Sequence, residues 1–120
     1  MRLIIGVLAT TTLLLAATKE AWAETLRTKS FIVKITRNCP EGNVVCNNVT
    51  YIGKNLKTGQ SIRLIGKTLN SPCRDGVTPC RFLGYQFQNG DYRYFVEENG
   101  RLQVSQGKKL LLQEQGTWSR

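Results

Sequence analysis

All four cysteines of this 120-residue chain lie in two copies of one pattern, "CPEGNVVC" at residues 39–46 and "CRDGVTPC" at residues 73–80. Each copy reads Cys, any residue, an acid, Gly, three residues, Cys. No other feature limits the fold as strongly. Local pairing, Cys39 with Cys46 and Cys73 with Cys80, closes two eight-residue rings, each stabilising by roughly 2.5 kcal/mol on the loop-entropy argument. A longer crosslink would stabilise more, so local pairing is expected where the shape of a loop matters. Four cysteines allow three connectivities, and spacing leaves the other two open. All three prolines touch a cysteine, as Cys39-Pro40, Pro72-Cys73 and Pro79-Cys80. Proline cannot donate to a strand ladder, and Glu41-Gly42 and Asp75-Gly76 are turn pairs. Both cysteine segments are therefore expected in loops outside any sheet.

Disulfides imply an oxidising compartment, and the N-terminus offers a route to one. Arg2 precedes the apolar run "LIIGVLATTTLLLAA", and "AWA" at residues 21–23 is an A-x-A box before the polar "ETLRTKS". Residues 1–23 read as a signal peptide cut between Ala23 and Glu24. That leaves one exported domain over residues 24–120, periplasmic or secreted from a bacterial cell. The run is short for the ~20 residues of a spanning helix, and no later run reaches that length, so no transmembrane segment is expected in the mature chain.

Beyond residue 24 the patterning is that of strands. "FIVKIT" (31–36) alternates Phe31, Val33 and Ile35 against Ile32, Lys34 and Thr36. Further strand signals lie at 49–53, 61–69, 81–87, 92–98, 101–105 and 108–115. Thr58-Gly59, Asn89-Gly90, Asn99-Gly100 and Gln106-Gly107 separate them with turn chemistry. The expected fold is all-β, a small antiparallel meander barrel or sandwich of seven to eight strands with two disulfide-closed loops. Tyr92 and Tyr94 share a strand face with Val96 and are expected to fill the core.

Most catalytic chemistry lacks its residues. The chain has no His, which removes imidazole bases and triads. Zinc would need all four thiolates, and the six-residue gaps exceed the usual ligand spacing. There is no phosphate loop of the G-x-x-x-x-G-K type. Glu97 and Glu98 are adjacent on a strand and should point to opposite faces. No enzyme activity, metal or cofactor is expected.

The segment "GYQFQNGDYRYFVEENGRLQVSQGKKLLLQEQG" resembles the C-terminal meander of small bacterial periplasmic lysozyme inhibitors, the membrane-bound and periplasmic C-type-inhibitor family. That resemblance implies an exported antiparallel β-barrel with a disulfide. The family's Ser-Gly-x-x-Tyr loop is not found, since the nearest stretch, "FLGYQF", has no serine, so no site residue carries over.

Charge supplies the remaining functional signal. From residue 24 onward, 15 Lys and Arg face 7 Asp and Glu, a net of 15 − 7 = +8. Residues 42–74 hold no acid but carry Lys54, Lys57, Arg63, Lys67 and Arg74. A hairpin around Thr58-Gly59 would gather Lys54, Lys57, Arg63 and Lys67 as a candidate anion-contact patch. The expected partner is an anionic envelope polymer, a lipid headgroup or an acidic protein, with nothing indicating specific nucleic-acid recognition. The alternative is a protein inhibitor or accessory factor acting through the two stapled loops.

Overall fold

The computed structural model describes residues 22–120. The expected signal segment lies outside the described residues except for Trp22 and Ala23, which open the first strand. Nine strands follow in order: β1 (Trp22–Arg27), β2 (Phe31–Arg37), β3 (Val49–Asn55), β4 (Ser61–Pro72), β5 (Pro79–Asn89), β6 (Tyr92–Glu97), β7 (Arg101–Gln106), β8 (Lys109–Gln115) and β9 (Thr117–Ser119). No helix occurs among the described residues. One sheet runs β8-β7-β6-β5-β4-β3-β2-β1-β9, and its neighbours pair antiparallel. A cut after Ala23 would leave Glu24–Arg27 of β1 still paired with β2.

The last strand makes the meander a nearly closed barrel. β9 pairs with β1, placing Trp118 opposite Leu26. On its other side it meets the β6–β7 turn. Gly116 N donates to Gly100 O at 2.8 Å, and Trp118 Nε1 donates to Glu98 O at 2.9 Å. Edge groups that would otherwise be open are thereby bonded.

Alternation sorts the side chains. Leu26, Val33, Ile35, Val49, Tyr51, Phe87, Val96 and Leu102 are buried in the interior. The Tyr51 ring packs against Phe87 at 5.1 Å and Tyr94 at 5.4 Å, within the range of favourable tilted aromatic contacts. Tyr94 and Val96 face inward as expected, while Tyr92 lies at the strand's start and is over a third exposed. Gly66 lets the Phe87 ring sit on bare backbone, since a Cβ there would fall 2.5 Å from Phe87 Cδ2 and 2.0 Å from Gln86 O.

Two expectations need correction. Seven to eight strands were expected; the seven placed by the sequence all form, and β1 and β9 bring the total to nine. The two cysteine pairs do bond locally, Cys39–Cys46 and Cys73–Cys80. However, the second ring is not wholly outside the sheet. Pro72 ends β4, Pro79 begins β5, and the two face each other at the end of the ladder. Terminal strand positions tolerate proline because no further ladder donor is needed there.

Glu114 of β8 joins the closing strands to the β1–β2 turn. Its Oε1 accepts from Thr28 Oγ1 at 2.7 Å and Ser30 N at 3.0 Å, and its Oε2 accepts from Ser30 Oγ at 2.7 Å. Burial acts to raise its pKa, but these bonds from Ser30 and Thr28, with Lys29 nearby, outweigh it and hold the carboxyl below its ordinary value. A depressed folded pKa contributes stability above the unfolded value, about 4.3. That contribution is lost as pH falls through the lower folded value. Wild type is expected to melt above Glu114→Gln at pH 7, and the gap should close as the pH falls from about 4.3 toward 2.5. Thermal melts across that range check this. A gap unchanged by pH would remove the carboxylate's role.

Candidate functional site: a basic face on strands β1 to β4

The outward residues of β1–β4 alternate with the core residues. Register places Lys34, Ile52 and Arg63 side by side across three strands. The next row holds Arg27, Ile32, Lys54 and Ser61. Strands lie about 4.8 Å apart, so the Lys34 and Arg63 backbones are roughly 10 Å apart. Lys54 is a diagonal neighbour of Arg63, at about 7–8 Å between backbones. The outward positions of β1–β4 hold no acid. Among the described residues the ion pairs are Arg101–Glu97 at 2.9 Å and Arg120–Glu24 at 4.0 Å, both away from this face. Ile52 and Ile65, 39% and 54% exposed, lie among the cations.

The four residues singled out by sequence do not form one tight cluster. Lys54 and Arg63 are brought together. Lys57 sits in the β3–β4 turn, where Asn55 Oδ1 accepts from its N at 2.8 Å. Lys67 lies four residues beyond Arg63, roughly 13 Å along β4, opposite Gln86. Arg27 and Lys34 complete the face and were missed. The outward side of Lys34 follows from the alternation of "FIVKIT". Its neighbours follow only from the β2–β3 register, which no local signal reveals.

The two stapled loops leave the other end of the sheet. The Cys39–Cys46 ring, with Cα atoms 5.8 Å apart, is anchored inward. Cys46 is buried, its N donates to Thr68 Oγ1 at 3.0 Å, and Thr68 N donates to its carbonyl at 2.9 Å. The Cys73–Cys80 ring, with Cα atoms 5.0 Å apart, holds an Asp75 turn. Asp75 accepts from Thr78 Oγ1 and from the N–H groups of Val77 and Thr78, which keep its carboxyl below the ordinary value, the Thr78 side chain contributing most. Val77 at its tip is 84% exposed, and Val44 on the first ring is 55% exposed.

At this end a cleft of about 430 Å³ is lined by Glu24, Arg37, Phe82, Tyr85, Glu98 and Trp118 among others. The Arg37 guanidinium lies 5.3 Å from the Phe82 ring and 5.7 Å from the Tyr85 ring. Burial raises the Tyr85 pKa against the opposing pull of Arg37. Glu97 and Glu98 diverge as expected. Glu97 pairs with Arg101, while Glu98 lines the cleft.

No family model, no curated protein and no solved structure matches this chain. The surfaces therefore carry the functional argument.

Proposed function

We propose that the protein is a non-catalytic exported binding module that contacts an anionic partner through the outer face of β1–β4. The observation that supports this reading most is the acid-free face bearing Arg27, Lys34, Lys54, Arg63 and Lys67, none of which enters an ion pair among the described residues. Cations held on adjacent rows of a rigid sheet present a fixed positive field to a polyanion. Exposed Ile52 and Ile65 add apolar contact between them.

The test is retention on heparin and on polyphosphate across a salt series. Lys34→Glu/Lys54→Glu/Arg63→Glu is expected to elute at much lower salt than wild type. Arg74→Glu/Arg81→Glu/Arg93→Glu, with the same charge change elsewhere, should elute close to wild type. Each lost phosphate contact reduces the log–log salt slope by about 0.7 to 0.9, so three should reduce it by about two to three. Equal elution of the two variants, or no retention of wild type at low salt, would refute the reading.

A second reading is supported by Val77. An apolar side chain 84% exposed on a disulfide-closed, Asp75-braced tip resembles a preorganised contact with a protein cleft. On that reading the protein is an inhibitor or accessory factor. Its binding would be weakened by Val77→Asp and little changed by salt.

A further inference from the structure

At the end of the barrel opposite the staples the interior is not filled. A cavity of about 350 Å³ is bounded by Phe31, Tyr51, Ile62, Tyr94, Leu111 and Leu112. Two local features leave it open. Gly53 lies opposite Ile62 and supplies no side chain, and the Tyr51 ring occupies the space where a Cβ would stand, 2.7 Å away. On β8, Val104 pairs with Leu112 and Ser105 with Leu110, so Leu111 is an extra residue set out of the ladder. Bulges at barrel rims commonly re-aim a side chain in this way. Ile62 and Leu111 are consequently 37% and 44% exposed at the lip of an apolar mouth.

The floor is uncharged. Burial pushes the Tyr51 phenol well above its ordinary pKa, with Tyr94 adding to the effect, and burial raises Tyr94 too. The surroundings are basic. The β1–β2, β3–β4 and β7–β8 turns, which share this end, carry Lys29, Lys57 and Lys108. Asp91 of the β5–β6 turn and Glu114, engaged by Thr28 and Ser30, are the acids nearby.

We propose that this mouth binds a single-chain anionic amphiphile, a medium-chain carboxylate, with its tail against Ile62, Leu111, Leu112 and Phe31 and its head toward the turn lysines Lys57 and Lys108. The volume lies at the lower end of the roughly 300–1,000 Å³ of small-molecule sites, which suits one chain rather than a two-chain lipid. Barrel mouths are a preferred place for such ligands. The head-group part rests on the basic-surface reading above, whereas the tail part stands on the cavity alone.

Calorimetry at low salt with decanoate and with decanol tests it, using ligand below its aggregation concentration. Wild type is expected to take up one decanoate per chain saturably, and more tightly than decanol. Ile62→Glu/Leu111→Glu should weaken decanoate at least about tenfold, because a charge would face the tail, while heparin retention stays as in wild type. Lys57→Glu/Lys108→Glu should abolish the preference of decanoate over decanol. Should the glutamate pair disturb the circular dichroism spectrum, Ile62→Ser/Leu111→Ser replaces it with the same direction expected. No saturable decanoate binding by wild type, equal affinity for decanoate and decanol, or unchanged decanoate binding in folded lip variants would overturn the proposal. Loss of heparin retention by wild type with decanoate binding intact would count against the basic-face reading alone.

Discussion

Gly84→Ala is expected to destabilise the barrel by about 4 kcal/mol or more, enough to unfold much of the population, whereas Gly90→Ala should cost about 1 kcal/mol. Both glycines have positive φ, +148° and +65°. They differ in surroundings. Gly90 is in the open β5–β6 turn, and a Cβ there meets nothing within 4 Å. Gly84 is in the wall. Leu69 pairs with Gly84 and Asn70 with Phe82, so Leu83 is bulged out of the β4–β5 ladder and its carbonyl accepts from Glu98 N at 2.9 Å. That bulge brings Gly84 against β6, where a Cβ would stand 2.2 Å from Val96 O and 2.8 Å from Glu97 Cα. Backbone atoms cannot rotate away, so β5 and β6 must separate beside buried Val96. Backbone strain and collision therefore add at Gly84, and only mild strain acts at Gly90. Urea unfolding midpoints of the two variants compare them directly. Equal shifts would show that the β5–β6 contact yields easily.

The contrast also shows what was legible in the sequence. The hairpin glycines at 59, 90, 100 and 107 announce themselves by an Asn, Thr or Gln before them and strand patterning on both sides, and all four have positive φ. Gly84 sits inside the strand pattern "RFLGYQF", and its role depends on β6 pressing on it from another part of the chain. The same division holds elsewhere. Val33, Ile35, Tyr94 and Val96 are read inward from alternation alone. β9 is three residues long, too short for any period, and Trp118 becomes informative only once it faces Leu26 and the Glu98 carbonyl. The basic face was half legible. Lys54 and Arg63 follow from one hairpin, but Arg27 and Lys34 join them only through the β2–β3 register, set across the longer connection of residues 38–48. The apolar mouth was not legible at all, because it arises from the side chain that Gly53 lacks and a pairing offset at Leu111.

The repeated cysteine device is expected to make two unequal contributions. Rings of the same size give the same entropy term, roughly 2.5 kcal/mol each, so any difference measures their surroundings. Cys46 is buried beside the core, and its backbone is bonded both ways to Thr68 of β4. Cys39→Ala/Cys46→Ala therefore loses the crosslink and leaves a void at Cys46, about 1 kcal/mol more, for a total of about 3.5 kcal/mol. Against the 5–15 kcal/mol typical of whole domains, that is a large share. Cys80 is exposed, and its hairpin keeps the Pro72–Pro79 pairing, the Cys73 N to Thr78 O bond at 2.7 Å and the Asp75 turn. Cys73→Ala/Cys80→Ala should thus cost about 2.5 kcal/mol at most, with little change in the folded hairpin. Chemical unfolding of both double variants, with the reduced wild type as reference, gives the comparison. A larger loss from the second pair would mean that Cys46 adds nothing to the core. In that event the first ring, like the second, would serve mainly to hold the shape of its exposed tip, and Val44 would stand beside Val77 as a contact presented by a rigid loop.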